Sequence, residues 1–419
     1  MDKKHIPTRI IIVIAVALVI FISGCAKQPA PMADDAGATP EKVSSVVNAN
    51  NQFAFELYSK YKDDPKYKNT NIFFSPYSIS TALAMTYEGA RGQTAEEMQS
   101  VVHFPENPDV RRPAFARIYN EINSRDKEYQ LSTANALWAQ KDYQFLDEYF
   151  NITEKYYGGK VTNLDFIQET EKSRVTINKW VEVQTNDKIK DLIPSGVLDS
   201  MTRLVLTNAI YFKGTWVLQF DKSKTRETDF RVSPASTVKA QMMSLTGEKA
   251  KFDYAETDDL QILELPYKGN ELSMLILLPK KDNLDAVEES LSAEKLSKWK
   301  NMLMERKTDV YLPKFKFETK YFMADDLSSM GMPTAFGSFA DFSGMTGKKD
   351  LFISQVIHQA FVEVNEEGTE AAAATAVVMK ELSASMPNIF RADHPFIFII
   401  QQKDTGNILF LGKVMDPTK

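Results

Sequence analysis

Short apolar runs that are typical of β-strands dominate the second half of the chain. Polar residues separate each run from the next. The runs are Leu204–Phe212, Thr228–Val232, Lys251–Tyr254, Leu260–Pro266, Leu272–Leu278, Thr308–Phe315, His394–Gln401 and Asn407–Val414. The last two flank the turn sequence Lys403-Asp404-Thr405-Gly406, and this arrangement predicts a hairpin.

Helical patterns are more frequent in the first half, where they alternate with a few strands. The predicted helices are Asn50–Lys60, Tyr77–Glu88, Asp147–Tyr157 and Ser173–Asn186, with later helical runs near Asn283–Met302 and Tyr321–Met330, and the early strands are Asn71–Phe74 and Leu131–Ala139. Another helix is expected to begin at Thr94, because Thr94 and Glu97 have the spacing of a capping box. No repeat and no long linker interrupts residues 46–419, so we predict one large α+β domain.

The composition is that of a mildly acidic globular protein. The chain has 419 residues, 43% of them hydrophobic, and 50 basic against 56 acidic residues give a net charge of −6. No tract of one charge sign is long enough to predict a nucleic-acid partner. The four histidines lack neighbours at metal-ligand spacing, and the hydrolase signature Gly-x-Ser-x-Gly does not occur. We therefore expect no metal, no cofactor and no hydrolytic activity.

The N-terminus has the order of features found in an export signal. Basic residues precede the apolar run Ile10–Ile22, and Cys25 follows as the only cysteine. This order resembles a lipoprotein signal peptide, in which the cysteine is lipidated. The run is shorter than the ~20 residues of a spanning helix, which favours lipidation over an uncleaved membrane anchor. We expect a signal peptide at residues 1–24, a disordered tether at 25–45, and an exported protein that is lipid-anchored to the outer face of the cell membrane or secreted.

The segment Asn365–Ala376 does not fit its surroundings. It contains Gly368 and a run of alanines, which favour a helix or a flexible loop. The residues on both sides, Ala360–Val364 and His394–Ile400, have the patterns of β-strands. Small residues between strands predict a loop that can itself become a strand.

This segment resembles the hinge of the serpins, a family of serine protease inhibitors. The stretches that carry the resemblance are Val364–Ala372, Phe390–Ile400, Asn71–Ile79 and Leu206–Trp216, together with Phe220, Thr225 and Phe230. They occur in family order, and the similarity spans about residues 48–417. The resemblance implies a fold of three β-sheets with about eight or nine helices, and an exposed reactive loop after Gly368. The lipoprotein leader lies outside it and points to a bacterium or an archaeon.

The resemblance also implies a mechanism. A serine protease would cleave the reactive loop as a substrate, and the freed segment would insert as a new strand into the largest sheet. The protein would then be an inhibitor and not an enzyme, a monomer that forms a covalent acyl-enzyme complex with its target. The alternatives are a non-inhibitory serpin that acts as a binding or folding factor, and a hydrolase that only looks like a serpin.

The loop sequence is compatible with such an insertion, because side chains alternate between the two faces of a strand. One face would carry Thr369, Ala371, Ala373, Thr375, Val377 and Met379, and the other Glu370, Ala372, Ala374, Ala376, Val378 and Lys380. The first face has no charge and begins with small residues, so it can enter the sheet. The charged residues fall on the face that can meet solvent. The hinge residues implied by the resemblance are Glu366, Gly368, Thr369, Glu370, Ala371, Ala372, Ala373, Ala374 and Thr375.

The bond that the target cleaves is open to three interpretations. Counting along the usual family loop from Glu366 places it at Leu382–Ser383, and leucine there suits a chymotrypsin-like, elastase-like or subtilisin-like protease. Counted back from Pro395, the loop is two residues longer than in many relatives, which moves the bond toward Ala384–Ser385. Lys380–Glu381 is a third candidate, for a trypsin-like target.

Two further groups of residues match functional positions of the family. The gating cluster, which we define as Ser75, Ser78, Asn208 and His358, matches the positions that control sheet opening. Its hydroxyl, amide and imidazole groups can form a small buried hydrogen-bond network. Gly214 and Trp216 match the place where the loop first enters the sheet, although a tryptophan between strands is more often part of the core.

Basic residues are concentrated between positions 111 and 127, where some serpins bind polyanions. They are Arg111, Arg112, Arg117, Arg125 and Lys127. Glu121 and Asp126 dilute their charge. We therefore expect a solvated helix face here and not a polyanion site.

Overall fold

The structure is a computed structural model that describes residues 32–124, 127–281, 284–369 and 386–419. The α-helices in these residues are α1 Pro40–Asp63, α2 Pro76–Tyr87, α3 Gly92–Val102, α4 Pro108–Asn123, α5 Asp147–Tyr157, α6 Thr170–Gln184, α7 Leu284–Ser290, α8 Ala293–Lys300, α9 Ala324–Met330 and α10 Ser343–Thr346, with short 3-10 helices at Lys222–Lys224 and Pro333–Phe336. The described part thus holds ten α-helices where eight or nine were expected, and α10 has only four residues.

The strands of the described residues are also numbered in chain order. They are β1 Ile72–Phe74, β2 Tyr129–Gln140, β3 Lys160–Leu164, β4 Leu204–Thr215, β5 Arg226–Ser233, β6 Ser236–Leu245, β7 Lys251–Glu256, β8 Leu260–Pro266, β9 Leu272–Pro279, β10 Met304–Pro313, β11 Phe315–Phe322, β12 Gln355–Asn365, β13 Gly368–Thr369, β14 Asn388–Arg391, β15 Phe396–Gln402 and β16 Ile408–Val414. The predicted C-terminal hairpin is present, with β15 antiparallel to β16.

These strands form the three sheets that were expected. The central sheet has the order β11-β12-β13-β4-β2-β3. The other strands follow one continuous path, β1-β16-β15-β9-β8-β7-β10-β6-β5, which β10 divides in two. Met304–Lys307 of β10 pairs with β7, whereas Val310–Pro313 pairs with β6, and Thr308–Tyr311 pairs with β14. The second sheet therefore ends at the start of β10, and the third sheet begins in the same strand.

The side chains of β4 alternate between two hydrophobic cores. Leu204, Leu206, Ile210 and Phe212 belong to the main core, which the central sheet shares with the second sheet and with α1 and α2. Val205, Ala209 and Tyr211 belong to a smaller cluster with residues of α6. Both faces of β4 are therefore buried, which explains its nearly continuous apolar sequence.

Most predicted elements are present with shifted ends, but the capping box at Thr94 is wrong. Helix α3 begins at Gly92, and Thr94 Oγ1 accepts a hydrogen bond from the Asp341 N–H at 2.9 Å. Glu97 accepts hydrogen bonds from the main chain and hydroxyl of Thr334. The two side chains join α3 to a distant segment instead of capping their own helix. The predicted strand Thr308–Phe315 is in fact two strands that meet at Lys314, and the helical run predicted from Tyr321 begins only at Ala324, after β11. The sequence patterns missed β3, β6 and β14.

The predicted tether at 25–45 is wrong for residues 32–45. Residues 32–39, which we call the strap, lie against α4 and α5, and α1 already begins at Pro40. Ala33 is buried and exchanges two hydrogen bonds of 2.8 Å with the side chain of Asn120 in α4. The Asp34 N–H donates to Lys155 O in α5 at 2.7 Å, and the two side chains form an ion pair at 2.9 Å. Much of this contact is made by main-chain groups, which do not require large apolar side chains. The composition of the segment therefore could not predict it. Residues 25–31 and Cys25 lie outside the described part.

No helix among the described residues is both long and apolar enough to cross a membrane.

Candidate functional site

The candidate site is a seam in the central sheet between β4 and β12, which we call the hinge seam. The two strands run parallel and pair directly over seven residue positions, from Gln355 opposite Val205 to Phe361 opposite Tyr211. Beyond this point they separate, and β13 lies between them, antiparallel to both. Thr369 pairs with Val364 on one side and Gly214 on the other. An antiparallel strand thus already occupies one end of the gap between two parallel neighbours.

Gly368 is needed at the turn into the seam. Its φ of +154° lies in the region that side-chain-bearing residues rarely adopt. A Cβ atom built there would lie 2.0 Å from the carbonyl oxygen of Gly214 and 2.7 Å from Cα of Thr215. The main chain of the hinge therefore approaches the main chain of β4 too closely for any other residue.

Thr369 faces the main core, as its position in the alternating pattern predicted. The residue is 1% exposed, and its hydroxyl shares a hydrogen bond of 2.8 Å with the hydroxyl of Tyr267. The ring of Tyr267 stacks on Trp216 with centroids 4.5 Å apart. The indole N–H of Trp216 donates to Asn365 O at 3.0 Å. Trp216 is both core and a direct support for the hinge.

Two buried carboxylates hold the hinge before β13 begins. Glu366 accepts a hydrogen bond from the Thr225 hydroxyl at 2.7 Å and forms an ion pair with Lys314 at 2.9 Å. Burial by itself would raise the pKa of Glu366, but Thr225 and Lys314 outweigh it and hold that pKa below its usual value. Glu367 pairs with Lys222 in the same way. The charged lysines are half-exposed or exposed, whereas both carboxylates are buried. The hinge is therefore held to the rest of the domain through its buried carboxylates.

The gating cluster forms the hydrogen-bond network that its residue types predicted. Asn208 of β4 donates from Nδ2 to the Ser78 hydroxyl at 2.7 Å, and its Oδ1 contacts Nδ1 of His358 in β12. The Ser75 N–H donates to Nε2 of His358 at 3.1 Å. Ser75 and Ser78 lie at the start of α2, so the network joins both strands of the hinge seam to the helix beneath them. Its role in sheet opening stays a prediction.

The same contacts determine the protonation state of His358. Because Nε2 accepts a hydrogen bond, the single ring proton must be on Nδ1, where it is donated to Asn208. The imidazole is fully buried, and burial lowers the pKa of His358 to about 3. His358 is therefore a neutral hydrogen-bonding group at physiological pH.

Sequence reasoning missed several residues of this site. Asn135 of β2 accepts hydrogen bonds from Asn208 at 2.7 Å and from Ser78 at 3.0 Å, which extends the gating cluster to a third strand. Tyr267 and the two lysines at the hinge were also missed. Asn135 shares the predicted strand Leu131–Ala139 with the polar residues Ser132 and Thr133, so its polarity did not single it out, and its partners lie far apart in sequence.

Other predicted site residues lie outside the described part of the chain. These are the hinge residues Glu370, Ala371, Ala372, Ala373, Ala374 and Thr375, the candidate scissile residues Leu382 and Ser383 with their alternatives, and Cys25.

Comparison with known proteins gives the family. The model of the family described as "Serpin (serine protease inhibitor)" matches residues 48–417. The chain belongs to the serpin family. An uncharacterized serpin-like protein of Thermococcus kodakarensis is 43% identical, over 97% of this chain and 98% of its own length. Leukocyte elastase inhibitor A of Rattus norvegicus is 43% identical, over 90% of this chain and 100% of its own length. The solved structure of human thyroxine-binding globulin has a TM-score of 0.82 and 32% identity, over 90% of this chain and all of that chain.

Family membership supports protease inhibition in general. Serpins are protease inhibitors in general and not catalysts. Thyroxine-binding globulin is by its name a binding protein, so the serpin fold also supports a role without protease inhibition.

The prediction of a solvated helix face near α4 is wrong for Arg111. Arg111 is buried and forms an ion pair with the buried carboxylate of Glu88 at 3.0 Å, while Arg112 binds the other oxygen at 2.8 Å. Tyr157 donates a hydrogen bond to Glu88 at 2.6 Å. Burial would raise the pKa of Glu88, but these partners outweigh it and lower that pKa. Arg117 is 52% exposed and pairs with Glu121 one turn farther along α4, so this residue does lie on a solvated face of the helix. Arg125 lies outside the described part of the chain.

Proposed function

We propose that this serpin inhibits a serine protease by letting it cleave the reactive loop, after which the freed segment fills the hinge seam. One observation supports this most directly: β13 already lies antiparallel between two parallel strands that pair with each other farther along. A strand that continues from Thr369 would separate this parallel pair and bind both partners.

The register of β13 supports an estimate of how much chain would insert into the seam. Each further residue after Thr369 would move one position down β4 from Gly214 and one position down β12 from Val364. Counting ten positions places Met379 opposite Leu204, the first residue of β4. The inserted segment would then be about 35 Å long at ~3.3 Å per residue.

This register assigns each loop residue to one of the two faces of the sheet. Thr369 and every second residue after it would face the main core, where small side chains can enter first. On the opposite face, the residues at positions 372, 374, 376 and 378 would lie under α6. These residues are three alanines and Val378. Glu370 and Lys380 would fall beyond the two ends of that covered stretch. The sequence predicted a second face that can meet solvent; in this register only its two charged residues, Glu370 and Lys380, would do so.

Insertion is favourable in hydrogen bonds. It would break one parallel pairing of seven positions and form two antiparallel pairings along the new strand. A net gain on the order of ten bonds at ~1 kcal/mol each amounts to roughly 10 kcal/mol. Such a gain can deform a protease that is still attached as an acyl-enzyme, whose oxyanion hole would no longer support deacylation. The target supplies the nucleophile, and the serpin supplies the substrate bond and the driving force.

We retain Leu382–Ser383 as the proposed scissile bond. With Met379 at the end of the seam, cleavage there leaves three residues, 380 to 382, to connect the protease to the inserted strand. Cleavage at Ala384–Ser385 would leave five, and cleavage at Lys380–Glu381 only one. The name of the rat relative, leukocyte elastase inhibitor A, supports an elastase-like or chymotrypsin-like target.

The experiment is to mix the purified protein with chymotrypsin and to separate the products on a denaturing gel. A one-to-one complex that survives denaturation is the expected result, and mass spectrometry of the released C-terminal peptide identifies the bond. Complete cleavage of the loop with no stable complex, by chymotrypsin, elastase, subtilisin and trypsin alike, would contradict inhibition. It would favour the alternative, a serpin that acts as a binding or folding factor.

We also propose that the mature protein is a monomer anchored through lipid on Cys25. With the strap fixed on α4 and α5 from about Ala33, only residues 26–32 would separate the lipid from the folded domain, a reach of at most ~25 Å. The anchor would therefore hold the domain close to the membrane surface. Partition of the native host's protein into a detergent phase tests this, and Cys25→Ser should move the protein to the aqueous phase. Detergent partition that is unchanged by Cys25→Ser would contradict lipidation.

A further inference from the structure

An exposed apolar surface lies beside the point where the reactive loop rejoins the fold. Met302, Met304 and Met386 are 44%, 57% and 96% exposed, and they line one groove of about 480 Å³ between the second and third sheets. We call these three residues the methionine patch. Ile389, three residues after Met386, adds a further side chain that is 59% exposed.

Paired strands hold part of this surface in place. Ile389 lies in β14, which pairs in parallel with β10, and its carbonyl accepts a hydrogen bond of 2.9 Å from Gln261. Met304 is the first residue of β10 and pairs with Tyr254 of β7. Met304 and Ile389 thus lie in paired strands, and Met302 and Met386 each lie two residues before one of these strands. The unbranched methionine side chains can adjust to a partner.

Nothing in the folding of the described chain requires these side chains to be exposed together. Clusters of exposed apolar residues commonly mark sites where another molecule binds. Among the charged groups of the groove, Lys307 pairs with Glu248 and Glu256 pairs with Lys280, while the guanidinium of Arg306 contacts Sδ of Met304 at 3.6 Å. The patch is therefore an apolar surface with one cation beside it, which favours a protein surface over a small charged ligand.

Its position indicates the partner. Met386 lies only three residues after Ser383, so it is within ~11 Å of the proposed scissile bond along the chain. A serine protease of about 230 residues has a radius of gyration of about 17 Å, which is larger than that distance. A protease bound at Leu382–Ser383 must therefore cover the surface next to the loop's C-terminal attachment.

We propose that the methionine patch is a second contact surface for the body of the target protease, and that it binds an apolar area on the rim of the protease's active-site cleft. This proposal rests on the proposed function. It adds that the serpin selects its target partly through residues outside the loop, before the bond is cleaved.

The test uses the double variant Met302→Gln/Met304→Gln. Both side chains are exposed and glutamine has a similar length, so the fold should be kept, which the thermal unfolding midpoint verifies. Met386 is left unchanged because it also lies close to the cleaved bond. The matched control is Met32→Gln, which removes an exposed methionine, 78% accessible, from the strap.

The association rate constant with chymotrypsin should fall about tenfold in the double variant, with unchanged inhibition stoichiometry and no change in the control. A factor of ten corresponds to ~1.4 kcal/mol, or roughly 55 Å² of apolar surface buried on binding. Affinity for chymotrypsin whose catalytic serine is replaced by alanine should weaken by a similar factor, since this probe cannot cleave the loop.

Rates and affinities within twofold of the control would overturn the methionine patch as a contact surface, even if a covalent complex forms. Absence of any covalent complex with the unmodified serpin would instead count against the proposed function. In that case the affinity for the inactivated protease still decides the present proposal.

Discussion

The substitution Thr369→Arg tests the central step of the proposed mechanism. Thr369 is 1% exposed and lies between β4 and β12, so every later residue of the inserting strand must follow it into the seam. An arginine at this position would place a charge against the main core beside the ring of Tyr267. The chain would have to bury that charge or withdraw β13 from the sheet.

The size of the effect follows from the contacts of Thr369. Loss of its hydrogen bond leaves the buried hydroxyl of Tyr267 unpaired, which costs about 1–3 kcal/mol. Burial of an unpaired charge costs several kcal/mol more, even if the side chain relaxes. A barrier increase of only ~3 kcal/mol would slow insertion about 100-fold, because each 1.36 kcal/mol is a factor of ten. Hydrolysis of the acyl-enzyme is not slowed, so most molecules should be released as cleaved substrate.

The assay is the inhibition stoichiometry, the number of serpin molecules consumed for each protease molecule trapped, measured by titration and on denaturing gels. Thr369→Ser keeps the hydroxyl and should behave as the wild type. Thr369→Val keeps the shape, loses one hydrogen bond and should show a several-fold rise. Glu370→Arg is the matched control for charge, because residue 370 would lie on the opposite face. If Thr369→Arg traps protease with wild-type stoichiometry, this face does not enter the seam and the reasoning is wrong.

Three further predictions concern the surrounding structure. Burial lowers the pKa of His358 to about 3, below the ordinary value of 6.5, so the unfolded chain binds more protons between these values and stability falls as the pH drops through this window. At pH 5 the loss is about 2 kcal/mol, at ~1.36 kcal/mol per pH unit, which urea unfolding at pH 7 and pH 5 should detect; an equal pH slope in His358→Gln would contradict this assignment. Gly368→Ala should convert the inhibitor largely into a substrate, because the added Cβ would lie 2.0 Å from Gly214 O, and trapping with wild-type stoichiometry would refute that close contact. Glu88→Gln should lower the free energy of unfolding by about 3 kcal/mol, since Arg111 would keep a buried charge with a weakened partner; a loss below about 1 kcal/mol in chemical denaturation would show that the ion pair is not important.

The strap illustrates the limits of composition as a guide to order. Small and polar residues before position 46 predicted a tether, yet Ala33 is buried and bonded to α4 through its main chain. The arginine-rich stretch shows a similar limit for charge. Its charge predicted exposure to solvent, but Arg111 is buried and pairs with Glu88 at the C-terminal end of α2. In both cases the partner lies elsewhere in the chain, at a place that local patterns do not reveal.

The sequence by itself determined the local properties of this protein. Apolar periodicity located most strands and helices, and the alternation after Gly368 assigned Thr369 to the inward face, where the structure places it. These properties depend on neighbours within a few residues, which the printed order of the chain contains. The family resemblance added the gating cluster and the position of the loop.

Only the tertiary structure decided which groups meet. Thr369 bonds to Tyr267, 102 positions away, and His358 contacts Asn208 across 150 positions. The parallel register of β4 and β12, on which the proposed insertion of ten residues after Thr369 rests, also depends on strands brought together by folding. Contacts between such distant residues depend on how sheets and helices pack, and no local pattern of hydrophobic and polar residues specifies that packing.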